Sequence, residues 1–369
     1  MTGVSKTREA VNELIEMDNI LTEISKTSDL TDKELKELGK SSFDKASELG
    51  RTATDYLNTV TEMSRSGFYG EQSEAMAKQV LLAQTAGDLT NDLASKYVLA
   101  TNAAYKFNGE ASKLNEVIDG MNMITNRNSV AMEDMAESMS TAGSVAATYR
   151  VDPAEFAAMT GTIEAVTKLG GSEVGTGIKS LLINLQNVNS SKITGTLKSA
   201  GAAMTEVVDG AESLRKPMDI LRDLSKTFKT LDENNPLRAE ILTNIGGKYQ
   251  ATKLAALLDN FEMYDKMLQD YSEGQGSAMQ EAEKSASNVT GSLNKLSNTW
   301  TKTINNLVNS DDMITFINLL EKVVSLVDKI TDNLGLLGTG SLIGSAIAGA
   351  KGKGLTYVTY HSLRVPYCI

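Results

Sequence analysis

The sequence predicts an all-α protein: a multi-helix core of antiparallel or stacked helices, followed by extended coiled-coil-like helices. Three observations predict it. Proline occurs four times in 369 residues, at Pro153, Pro217, Pro236 and Pro366. Ala, Leu, Met, Lys and Glu are abundant, and these residues lose little rotamer freedom in a helix. Apolar residues recur at steps of three and four, while strand-like alternation is hard to find before residue 355.

Residues 1–50 read as polar amphipathic helices with frequent breaks. Thr31 and Glu34 have the spacing of a capping box ahead of a helical run to Leu38. Gly39 and Gly50 read as punctuation. Met1 to Asn19 contains no apolar stretch, so no signal peptide is expected.

Residues 51–272 read as the helical core. Breaks fall at Gly67 and Gly70, Gly87, Gly109, Asn126 to Asn128, Asp152-Pro153 and Gly170-Gly171. Glycine just past a helix is expected to supply its left-handed terminating residue. The sharpest start signal is Asp152-Pro153-Ala154-Glu155. Asp152 can accept from an unpaired backbone N–H, Pro153 has no N–H to orphan, and Glu155 suits the positive helix end. One apolar stripe runs through Leu89, Leu93, Tyr97, Ala100, Ala104 and Phe107. Others run through Met132, Met135, Met139, Ala142, Ala146 and Tyr149, through Phe156, Met159, Ile163 and Val166, and through Val174, Ile178, Leu181, Leu185 and Val188. Each predicts one buried and one polar face. The breaks recur about every 20 residues, which raises a helical solenoid, but no fixed residue signature accompanies the rhythm. A compact helical domain is the expectation.

Residues 189–238 are less regular, with Pro217 opening a short helix and Asn234-Asn235-Pro236 forming a turn. A helix ending at Ile245 is expected to stop at Gly246-Gly247, with another from Lys248 to Leu258. Gly274 and Gly276 close the core. Residues 277–333 read as coiled-coil-like, with a seam of Ala286, Val289, Leu293, Leu296, Trp300, Ile304 and Leu307. A second apolar face follows at Met313, Ile317, Leu320, Val324, Val327 and Leu334. Residues 334–354 form a Gly-rich apolar segment. Its stretch 334–350 carries no charge and contains the pair Gly340 and Gly344, at the short limit of a membrane span. Residues 355–369 change composition and hold the sole histidine, His361, and the sole cysteine, Cys368.

These features exclude several functions. A net charge of −11 is a poor footprint for nucleic-acid backbones, so no sequence-specific nucleic-acid partner is expected. From Asp311 onward five acidic and five basic residues balance, which leaves the acidic excess in the first 310 positions. A single cysteine forbids an intrachain disulfide. The glycines from Gly170 to Gly177 suggest a phosphate loop, but they lack the Gly-Lys-Ser/Thr ending and a preceding strand; close helix packing is expected instead. Gly349 to Gly354 fails likewise. His361 and Cys368 cannot fill a four-ligand zinc site. The stripe of Met132, Met135 and Met139 is read as core rather than as an adaptable binding face. No catalytic, cofactor-binding or metal-binding residue is expected, no cofactor, and no enzymatic activity.

The stretch Met139 to Leu185, MSTAGSVAATYRVDPAEFAAMTGTIEAVTKLGGSEVGTGIKSLLINL, resembles the core of phage tail tape measure proteins. The shared features are Gly143 to Ala146 within a helix, the capped helix from Asp152, the break at Gly170, and Ser172 to Thr176 leading into Leu181 to Leu185. Ile241 to Leu258 is similar to the family's glycine-broken helix pair. The resemblance covers residues 50–260, and 260–350 by character only. Family members are usually much longer. The resemblance implies a structural scaffold of a phage or prophage tail, active in tail assembly and tail-length determination, with a step at the host membrane during genome delivery. It implies assembly in the host cytoplasm and incorporation in the virion tail. The implied partners are the tail tube protein, tail assembly chaperones, tail tip or baseplate proteins and other copies of the chain in a helical oligomer, with 334–350 meeting the host membrane. The alternative reading is a helical interaction or pore-forming protein that shelters 334–350.

Overall fold

The computed structural model describes residues 3–308. The expectations for the second apolar face from Met313 to Leu334, for 334–354, and for the tail with His361 and Cys368 lie outside the described residues. In chain order the helices are α1 (Gly3–Thr27), α2 (Asp32–Glu48), α3 (Ala53–Arg65), α4 (Glu71–Ala86), α5 (Asn91–Ala104), α6 (Ala111–Arg127), α7 (Met132–Thr148), α8 (Pro153–Thr167), α9 (Gly171–Leu185) and α10 (Ser191–Ser199). A hairpin of β1 (Thr205–Val208) and β2 (Ala211–Leu214) follows. Then come α11 (Pro217–Thr230), α12 (Pro236–Glu240), a π turn over Ile241–Gly246, α13 (Gly247–Asp259), α14 (Phe261–Ser272), α15 (Ser277–Ser287) and α16 (Val289–Val308). Among the described residues the protein is all-α but for that hairpin.

Contacts divide the chain into two units. Among the described residues, one comprises those up to Thr61 and those from Ala286 to Val308; the other is Glu62–Ser285.

In the first unit the frequent breaks expected before residue 50 are absent: α1 is one helix of 25 residues. Thr31 and Glu34 do form a capping box, but the helix runs through Gly39 to Glu48. Gly39 is buried there because a side chain would stand 2.9 Å from Leu21 Cδ1. It is a packing glycine, not a break. Gly50 does end the helix, with φ +68°. α16 packs on α1 and α2. The expected seam is divided along it: Ile304 is buried, Leu296 and Trp300 are half-buried, and Val289 and Leu293 are exposed. Asparagines do much of the fastening. Buried Asn298 accepts from the Ala53 N–H at 3.0 Å and donates to Ser47 Oγ and the Arg51 carbonyl. Asn294 donates to the Gly50 carbonyl.

The second unit is built on two layers. α4, α6 and α8 neighbour one another in one layer, and α5, α7 and α9 do so in the other. Successive helices alternate between layers. α7 and α8 run antiparallel, as Ala131 meets Glu164 and Ser138 meets Thr160. α7 and α9 therefore run parallel, as Asp134 meets Gly171 and Ser138 meets Gly175. The roughly 20-residue rhythm thus produces a short solenoid-like stack after all, without a residue signature. α14 lies across α6 and α8, and α13 across α8 and α9.

This leaves α8 with neighbours on nearly every side, and Phe156 to Glu164 form one continuous buried run. The single stripe expected for this helix is corrected accordingly. A helix apolar all round belongs inside, and the small residues Ala157, Ala158, Thr160, Gly161 and Thr162 let five helices approach it. Val166 and Val188, read as stripe positions, are 42% and 50% exposed because the stack ends before them.

One boundary falls where expected and one expectation is corrected. The helix from α12 tightens into a π turn and stops at Gly246-Gly247, where Gly247 breaks the axis with φ +65° and ψ −174°, and α13 runs on from there. Asn184 donates to the Ile245 carbonyl that the turn displaces, at 2.8 Å. Glycine supplies the left-handed residue after α2, α3 and α10, at Gly50, Gly67 and Gly201, but not at every helix end. Asp88, Lys106, Arg150 and Lys168 hold φ between +51° and +62°, while Gly170 sits at φ −65° as an N-cap.

Candidate functional site

The glycine-rich start of α9 is the densest feature of the second unit. A side chain on Gly171 would collide with the backbone of Asp134 in α7. One on Gly175 would stand 2.9 Å from the Ser138 carbonyl, and one on Gly177 would strike Lys253 in α13. Three glycines on one helix thus admit a parallel neighbour on one side and a buried lysine on the other. Lys253, 4% exposed, crosses Gly177 to reach Glu173 at 3.1 Å. The glycines are there for contact, not for phosphate.

Carboxylates confirm that assignment. Asp134 Oδ1 accepts from the Gly171 N–H at 2.5 Å, and Glu137 Oε2 accepts from Ser172 N–H at 3.1 Å. The positive end of α9, where an anion would bind, is occupied by the protein's own negative charge. Glu164 of α8 does the same for α7. Its Oε1 accepts from the Ala131 N–H at 2.8 Å, and the residue is 5% exposed. Its Oε2 is buried without a donor. Burial, helped by the neighbouring Asp134 charge, lifts the Glu164 carboxyl to about 7 against the opposing pull of the Ala131 N–H and Lys168. A proton on Oε2 resolves both difficulties, because the protonated acid can donate to the Asp134 carboxylate.

A perturbed carboxyl such as that of Glu164 can mark catalysis, but it needs a cleft in which to meet substrate. A groove of about 800 Å³ lies between α10 and the hairpin, lined in part by Val188, Lys198, Met204, Glu212 and Leu214. A second, of about 350 Å³, is lined by Val166, Leu169, Thr252, Ala255 and Asp259. Neither contains Glu164 or Asp134. The pair is a structural fastening between helix starts.

The expected core stripe of Met132, Met135 and Met139 is buried, at 5%, 0% and 1% exposure. Among the described residues no group of three or more His, Cys, Asp or Glu side chains could hold a metal ion. Among them, too, no helix is long and apolar enough to cross a membrane. Sequence reasoning missed Asp134, Glu137 and Glu164. Asp134 looks like an acidic residue complementing the start of its own helix, Glu137 lies one turn further on, and nothing local shows that they serve α9.

The arrangement is a packed helical stack fastened by polar side chains. No solved structure matches the chain. The phage-related minor tail protein family matches it over residues 43–247, from within α2 through both layers to the π turn. That span is more than half of the 369 residues, and the chain belongs to the family of phage-related minor tail proteins.

Proposed function

We propose that this chain is the core-bearing part of a tape measure protein, a scaffold that sets tail length during assembly. The observation that carries the reading is the family match over the glycine-tight stack, joined to the sequence resemblance across the same helices. Residues 277–333 are the proposed ruler material, since helical length scales linearly with residue number at about 1.5 Å each. In this role the chain meets tail tube subunits, assembly chaperones and tip or baseplate proteins, and associates with its own copies. The uncharged segment 334–350 supports a membrane step at genome delivery, which vesicle flotation of the full chain with and without that segment tests. The length reading is tested directly. Inserting four helical heptads, about 28 residues, near residue 311 should lengthen tails by about 42 Å in electron micrographs. Normally assembled tails of unchanged length would refute it.

A further inference from the structure

The hairpin stands apart from the helical stack in its chemistry. Val207 is 76% exposed, Val208 47% and Leu214 36%, and Glu206, Ala211 and Glu212 are exposed as well. Both faces of the ribbon are therefore wet beyond its base. An isolated two-stranded ribbon is marginal in water; this one is held at the base. Met204 is buried, the Arg215 N–H donates to the Met204 carbonyl, and the Arg215 guanidinium reaches the Ala203 carbonyl and Asp223.

Register decides which backbone groups are spare. Pairing is antiparallel, with Thr205 opposite Leu214, Glu206 opposite Ser213, Val207 opposite Glu212 and Val208 opposite Ala211. The Arg215-to-Met204 bond makes that pair a hydrogen-bonded one. By alternation, Glu206–Ser213 and Val208–Ala211 are hydrogen-bonded pairs too. Thr205 and Val207 on β1, and Glu212 and Leu214 on β2, direct their N–H and C=O groups outward. The β2 edge is partly closed, since the Arg150 guanidinium donates to the Leu214 carbonyl. The β1 edge is open at both residues. The face that Thr205 and Val207 share with Glu212 and Leu214 borders the groove of about 800 Å³, which Thr205, Glu212 and Leu214 line together with Val188 and Met204.

The geometry points to the β1 edge as a docking site for an extended strand of a second protein, with an apolar–basic–apolar sequence. A strand pairing with Thr205 and Val207 places its two apolar side chains on the groove face. The residue between them falls beside Glu206, where a Lys or Arg is favoured. A second copy of this chain fits worse. Pairing β1 with itself through Thr205 and Val207 sets Glu206 against Glu206, and like charges directly opposite are destabilising. The other register engages only one residue pair. The edge would act this way whether or not the chain sets tail length.

The full chain can be titrated with a labelled Thr-Val-Lys-Val-Thr peptide and followed by anisotropy and amide hydrogen exchange. Binding should protect the Thr205 and Val207 amides. Val207→Pro removes an outward N–H and none of the hairpin's own bonds, and should weaken binding at least about tenfold, in keeping with a block of strand addition. Glu206→Lys should transfer preference to the matching peptide with Glu in place of Lys. Equal binding by both variants would overturn the proposal. So would protection of Thr205 and Val207 in the chain alone together with a concentration-dependent dimer that Val207→Pro abolishes.

Discussion

Replacing Glu164 with Gln should make the protein more stable at alkaline pH, and the size of the gain follows from the site. The unperturbed carboxyl titrates near 4.5 and the buried one at about 7. Because the folded form binds the proton more tightly, the stabilisation from protonating Glu164 is fully present below about 4.5. It is lost as pH rises through 7. The difference of about 2.5 units corresponds to about 3 kcal/mol at most. Glu164→Gln retains the oxygen that accepts from Ala131 and supplies an amide that can donate to Asp134, and it does not titrate. At pH 8 the variant should exceed the parent by up to about 3 kcal/mol, while below pH 4.5 the two should nearly coincide. For a unit of this size that is a melting shift of roughly 6 to 12 °C. Urea unfolding followed by helix circular dichroism, on both proteins from pH 4.5 to 8.5, measures it. Asp134, Lys168 and every other charged neighbour are common to both proteins, so they cancel to first order in the difference. A stability difference that does not change with pH would refute the reasoning, as would a parent more stable than the variant at pH 8.

The remaining predictions concern contacts. Gly171→Ala should destabilise the second unit by about 3 kcal/mol or more, since the added methyl meets backbone that cannot turn aside. Gly195→Ala, in α10 with nothing within 4 Å of the new methyl, should instead stabilise by roughly 0.5–1 kcal/mol; thermal melts of the two variants should move in opposite directions. Asn298→Ala leaves the buried Ala53 N–H without its acceptor and should cost about 2 kcal/mol. Exchange of that amide should rise by at least about tenfold if the bond matters as stated.

The all-α class was legible because helix periodicity and sparse proline are properties of the whole chain. The capping boxes at Thr31 and Asp152 were legible because both partners lie three residues apart. The hairpin was missed although Asp209-Gly210, with φ +52° and +80°, is the strongest short hairpin turn. Four-residue strands carry too little alternation to announce themselves, and Val207-Val208 reads equally well as a fragment of helix. Gly39, Gly171 and Gly175 were ambiguous for another reason. Sequence shows that a side chain is absent but not whether the backbone needs a positive φ or a neighbour needs the space, and here the neighbour decides. The two-layer stack escaped because its repeat is one of length, and no residue type marks it.

The polar fastenings follow one rule that no local pattern could expose. α7 and α9 begin at Ala131 and Gly170, residues whose side chains cannot cap. Their first N–H groups are satisfied instead by Glu164 and by Asp134 and Glu137. At α3 a local pair, Thr52 and Asp55, already caps the start, and Asn298 adds an acceptor for the Ala53 N–H. At α15, buried Asp119 accepts from the Gly276 and Ala278 N–H groups at 2.8 and 3.0 Å. Three helices, α7, α9 and α15, thus start on side chains that lie 33 to 159 residues away in sequence. An uncapped helix start frays unless something supplies its acceptors, so these helices are fully formed only where their neighbours are already in place. Helix formation and stacking become one event. Part of the chain's acidic content is thereby assigned: Asp119, Asp134, Glu137 and Glu164 are acceptors on which other helices begin.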